Sequence, residues 1–198
     1  MTSYLDHATL SPLRPEVLAT LHEVLELPQA DPGRPYDDAM VVRRLIEDSR
    51  QAVADLAHIT ARQVIFTASI AESVATALHG LAQGGTIASS NTERSSVLES
   101  AAAFGAHFVL GVDGAGHLDL EEVENCLKGQ AVALLCCQLA NHETGTLDDV
   151  FAITEIAHRY GTRVHVDASV GFGKVPCDFG ILDADAVSVA LPPGGVIR

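Results

Sequence analysis

Arg163–Ala168 constrains the fold most, because a short run rich in β-branched residues between glycine-bearing turns reads as a buried strand. Alternation along that strand puts His165 and Asp167 on one face. Similar runs occur at Val64–Phe66, Thr86–Ala88, His107–Leu110, Ala131–Cys137 and Ala186–Ala190. Between them lie stretches of helical periodicity at Ala71–Leu81, Ser95–Phe104, Leu120–Leu127 and Val150–Tyr160. Strands alternating with helices of about ten residues make a doubly covered, mainly parallel sheet. The predicted architecture is therefore α/β, a three-layer αβα sandwich, with residues 1–198 as a single domain.

The first third of the chain adds helices over Glu16–Glu26 and Asp38–Leu56, separated by the Pro/Gly-rich loop Pro28–Tyr36. Asp119 is placed to cap the helix that follows it, and Asn141–Asp149 is a polar loop. The glycines of Gly111–His117 do not sit between a strand and a helix start, as a dinucleotide-binding turn requires. Asp178-Phe-Gly180 spells a kinase motif with no other kinase element around it.

Composition excludes several functions. The formal charge is −14, with 26 acidic against 12 basic residues, so a nucleic-acid role is not expected. No apolar run is long enough to span a bilayer, and the opening MTSYLDHATL has no signal-peptide pattern. Four cysteines without CxxC spacing read as reduced core thiols, and the expected location is cytoplasmic. Lys128 and Lys174 are the only lysines.

Asp167 falls at the carboxyl end of its strand, where open α/β sheets place ligands. A carboxylate there needs a partner, since an unpaired buried charge is costly. In one large enzyme class that partner is the protonated ring nitrogen of pyridoxal phosphate, PLP. His142, His165 and Asp167 could alternatively supply metal ligands, although a core role for His165 is simpler.

Several segments together resemble the large domain of cysteine desulfurases, the NifS/IscS branch of the class-V aminotransferases. Tyr4-Leu-Asp-His-Ala8 resembles the opening YLDHAA, and Ile65–Ser73 resembles FTSGATES. Thr92–Leu98 is similar to TEHxSVL, Asn141–Gly145 to NNETG, and His165–Lys174 to HVDAxQxxGK. Asp185–Ser188 resembles the strand that leads to the PLP lysine.

The resemblance implies a fold-type-I large domain with the small domain, and its persulfide-forming cysteine, absent. It also implies a PLP pocket, and that pocket is degenerate. Ala71 stands where the family has a phosphate-binding threonine, with Ser69 in the same turn. Arg94 stands for the histidine that stacks on the ring, and His142 for the asparagine that bonds its hydroxyl. Val170 replaces a glutamine, and the Schiff-base lysine falls on Pro193 within Ala190–Pro193. Of these positions only Asp167 is kept.

The expectation that follows is a non-catalytic desulfurase-like protein, a partner or scaffold in sulfur transfer or a related pathway. No covalent cofactor is expected; PLP would be held only if a partner chain supplied the lysine. The predicted assembly is a homodimer, or a heterodimer with a desulfurase-like or complementary chain. The alternative is a repurposed or split enzyme using Asp167, His142 and Arg94.

Overall fold

The aliphatic runs become five parallel strands, β1 (Thr86–Ser90), β2 (His107–Leu110), β3 (Val132–Gln138), β4 (Arg163–Asp167) and β5 (Ala186–Ser188), ordered β2-β1-β3-β4-β5. The computed structural model describes residues 3–5, 7 and 11–191. The sheet and its helices lie in one unit, Thr67–Ala190; the segment through Phe66, with Leu191, belongs to another. Asp6, part of the opening motif, and Pro193, at the lysine position, lie outside the described residues.

The helices of the sheet unit are α3 (Ile70–Ala82), α4 (Ser95–Ala103), α5 (Leu120–Gly129), α6 (Val150–Arg159) and the single turn α7 (Phe179–Leu182). Their starts are set by short polar side chains. Ser69, Asp119, Asp149 and Asp178 accept hydrogen bonds from Glu72, Glu121, Ala152 and Ile181 N–H groups respectively. The aspartate of the kinase-like tripeptide is thus an N-cap for α7, a helix that periodicity does not reveal.

Alternation along β3 builds two cores. Leu134 and Cys136 pack with Ile87 and with Val74, Leu78, Ala82, Val97 and Ala101 of α3 and α4. Leu135 and Cys137, with Val164 and Val166 of β4, are wholly buried and point to the other face. There α6 packs on β3 and β4 and against α5. Helices therefore cover both faces of a parallel sheet, as predicted. The adjacent thiols Cys136 and Cys137 are free and buried on opposite sides.

From β1 the chain runs outward to β2, then returns to the other side of β1 to make β3, β4 and β5. Between β1 and β3 the winding direction reverses. In such sheets this reversal opens a crevice at the carboxyl ends of the two strands.

The other unit contains α1 (Pro15–Leu25) and α2 (Asp37–Ala57). Here one expectation fails: Val64–Phe66 is not a strand. It follows a 3-10 turn at Ala61–Gln63 and has no strand beside it. The Arg50 guanidinium donates to the Val64 carbonyl and lies 4.9 Å from the centre of the Phe66 ring. A β-branched run supplies the propensity for a strand, but only a neighbouring strand supplies the ladder. At the other end of the chain, β5 stops at Ser188, short of the predicted Ala190.

Leu134 is 0% exposed whereas Val109, on edge strand β2, is 54% exposed. Leu134→Ala should cost about 2–5 kcal/mol, because it leaves a cavity in a packed core. Val109→Ala should stay within about 0.5 kcal/mol. Urea unfolding of both variants checks the assignment of core and edge.

Candidate functional site

The crevice between β1 and β3 is bridged by side chains from both its walls. Gln138, at the end of β3, donates through Nε2 to Thr92 Oγ1 at 2.9 Å. Asn141 Nδ2 donates to the Thr92 carbonyl at 3.2 Å and to Gln138 Oε1 at 3.3 Å. Thr92 Oγ1 in turn lies 2.8 Å from Ser90 Oγ. Asn141 also shapes its own loop, its Oδ1 accepting the Glu143 and Thr144 N–H groups at 2.8 and 2.9 Å. Gln138 ends β3, and Thr92 and Asn141 follow shortly after β1 and β3, a placement that the sequence shows only as polar residues beyond aliphatic runs.

Asp167 sits at the carboxyl end of β4, as the sequence predicts, and is 2% exposed. Its Oδ1 accepts the Ser169 N–H at 2.8 Å, while Oδ2 is buried with no hydrogen-bond partner. Arg94, the N-cap residue of α4, reaches Ser169 Oγ at 3.5 Å. Arg94 and Asp167 thus meet on Ser169, and no direct ion pair joins them among the described residues.

The other predicted positions do not join this group. His142 is exposed in the Asn141 loop, with Nε2 3.7 Å from the Glu143 carboxylate. Ser69 Oγ is used in capping α3, 3.1 Å from the Glu72 nitrogen, and Ala71 is exposed in the first turn of that helix. Among the described residues, neither His142 nor Ser69 hydrogen-bonds Asp167 or Arg94.

The metal alternative fails for a similar reason. His165 is 0% exposed, and its Nε2 is 2.9 Å from Ser188 Oγ, which lies 2.9 Å from Ser73 Oγ of α3. That imidazole belongs to the contact between β4, β5 and α3. Among the described residues no group of His, Cys, Asp and Glu is arranged to hold a metal ion. Burial pulls the His165 pKa down from 6.5 to about 4, although Asp167 opposes the shift.

The resemblance over Thr92–Leu98 includes Glu93 but gives it no role. Glu93 lies in the turn between β1 and α4, 5% exposed, with both carboxyl oxygens buried and without hydrogen-bond partners. Burial, and then the negative charges of Asp167 and Asp148, hold its carboxyl well above the ordinary 4.5.

PLP fits these residues at one point. The partnerless Oδ2 of Asp167 is the acceptor that a protonated ring nitrogen needs. At the other positions Ala71 has no hydroxyl, Ser69 is engaged in its cap, and His142 faces Glu143. Lys128 Nζ is ion-paired with Glu124 at 3.3 Å within α5, and Lys174 is exposed on the loop after β4.

A parallel sheet covered by helices on both faces, with Asp167 at the carboxyl end of β4, is the frame of a PLP-dependent transferase large domain. A model of the class-V aminotransferases matches residues 3–190, and the chain belongs to that family. It is 28% identical to cysteine desulfurase IscS of Dictyoglomus turgidum, over 94% of this chain and 50% of the relative. It is 30% identical to a cysteine desulfurase of Frankia sp., over 89% of this chain and 46% of the relative. A NifS-like protein from Rickettsia africae superimposes with a TM-score of 0.91 at 25% identity, over 98% of this chain and 55% of the other. The chain is cysteine-desulfurase-like and spans about half the length of the curated relatives it matches.

The pKa of His165 has a measurable consequence. Because the folded state holds the neutral imidazole down to about pH 4, stability should fall as pH drops from 6.5 toward 4. Proton NMR should show the His165 ring signals unmoved through pH 6.5; a normal titration there would reject the buried, neutral assignment.

Proposed function

We propose that the chain is a non-catalytic desulfurase-like subunit that acts by association, as partner or scaffold in sulfur transfer or a related pathway. One observation carries this reading. Asp167 keeps the acceptor for a cofactor, while Lys128 is paired with Glu124 within α5 and the motif resemblance sets the Schiff-base position on Pro193. Covalent capture of PLP needs an amine at a defined position, and a proline does not supply one. The crevice also spends its polar groups on itself, through Thr92, Gln138 and Asn141.

Apolar surface supports association. Helix α1 has no buried residue, and Leu18, Leu21 and Leu25 are exposed along it. Exposed apolar stripes of this kind mark contact surfaces. The partner is a second copy or a desulfurase-like or complementary chain, and the setting is the cytoplasm. No helix among the described residues is long and apolar enough to cross a membrane.

The partnerless Oδ2 of Asp167 favours a second reading, a split enzyme in which a partner contributes the lysine. A visible spectrum with added PLP, then borohydride reduction and intact mass, separates the two. The subunit reading expects neither a chromophore nor a mass adduct from this chain alone. A reducible chromophore on the isolated chain would overturn it, whereas extra PLP reduced onto a partner lysine only when this chain is present, and lost with Asp167→Ala, would establish the split enzyme. Light scattering after size exclusion should give a dimer, and a stable monomer that captures no such partner would defeat the association reading.

A further inference from the structure

We propose that Glu93 is a proton-operated lock on the crevice between β1 and β3. Neutral, it lets the β1–α4 turn stay sealed to β3; ionised, it loosens the turn that carries Arg94.

The inference begins with placement. Glu93 is in the turn Ser90–Arg94, at the point where the winding of the sheet reverses. This turn is short and held at each step. The Thr92 N–H donates to Ser90 Oγ at 3.2 Å, the Glu93 N–H to the Ser90 carbonyl at 3.4 Å, and Thr92 binds Gln138 and Asn141 from β3 and its loop. The Glu93 side chain is enclosed, yet neither oxygen has a partner. A carboxylate so placed loses its hydration and gains nothing in exchange, a loss large enough that such groups take up a proton instead.

The charges around it act in the same direction. Asp167 faces it from β4, and Asp148 from the loop before α6. From β3, burial pushes the Cys136 and Cys137 thiols upward, so both stay neutral beside Glu93 and neither can offset a carboxylate. The adjacent cation, Arg94, directs Nη1 to Ser169. Two histidines complete the set: His117, 3.9 Å from Asp148 and half exposed, and His165, which burial keeps neutral beside Asp167.

Neutral Glu93 is thus compatible with the sealed turn, and ionised Glu93 is not. When its proton passes to solvent, the carboxylate regains water only if the turn opens. The Thr92 and Glu93 amides, and the link from Thr92 to Gln138, are the bonds that would yield. Arg94, next in the chain, would move with them. This device does not depend on whether the pocket is catalytic, and nothing in the motif comparison assigned a role to Glu93.

The test uses the full chain. With carbon-13 in the glutamate carboxyls, the Glu93 signal should titrate only after those of the exposed glutamates, well above 4.5. Glu93→Gln identifies that signal by its loss and mimics the neutral form. Across the same pH interval, hydrogen-exchange protection of the Thr92 and Glu93 amides should fall in the wild type by up to about tenfold per pH unit. In Glu93→Gln it should stay level. The urea midpoint of the variant should gain on that of the wild type as pH rises, because a raised pKa makes wild-type stability fall through that range. A Glu93 signal that titrates with the surface glutamates overturns the proposal. So does protection that falls equally in wild type and variant. Should the variant not fold, the wild-type titration, assigned through backbone correlations, and its protection profile decide alone.

Discussion

Gln138 and Asn141 carry the contact on which the carboxyl edge of this sheet depends. Where a doubly wound sheet reverses direction, the loops after two neighbouring strands diverge to opposite faces and leave a gap. In many α/β proteins a ligand fills that gap. Here Thr92 comes from one side, Gln138 and Asn141 from the other, and their amide and hydroxyl groups satisfy one another across it. Side-chain amides suit the task because each offers donors and acceptors at once. The arrangement sets the position of the turn holding Arg94 and of the loop holding His142.

The same edge stores unfavourable electrostatics. Asp167 Oδ2, both oxygens of Glu93 and Nδ1 of His165 are buried without partners. Native interiors hold few such groups, and each is a place where a proton or ligand can change the balance. His165 meets the problem by staying neutral and bonding Ser188, which continues to Ser73. Asp167 has only half of its carboxyl satisfied, by the Ser169 N–H. The class-V aminotransferase framework thus holds several buried polar atoms without partners at one edge of its sheet.

Sequence motifs mark the neighbourhood of the site but not its contents. Asp167 was legible because a carboxylate ending a β-branched run has a defined place in a parallel sheet. Arg94 and His142 were legible as positions, and the structure separates them: one turns to Ser169 and the other to Glu143. Glu93 carries no local signal, since one acidic residue between a strand and a helix looks the same in sequence whether it is buried or solvated. Its burial depends on β3, β4 and the loop before α6, which are distant in sequence.

The alternation of strands and helices, the parallel sheet with helices on both faces, a core place for His165 and the kinship with cysteine desulfurases are all written in the linear chain. These follow from local periodicity and from motifs that carry their own spacing. That Val64–Phe66 is not a strand, that His165 bonds Ser188 and that Glu93 is buried follow from packing alone. The reason is physical: propensity and pattern act over a few residues, whereas ladder pairing, desolvation and the partnering of buried polar atoms depend on what distant segments bring alongside.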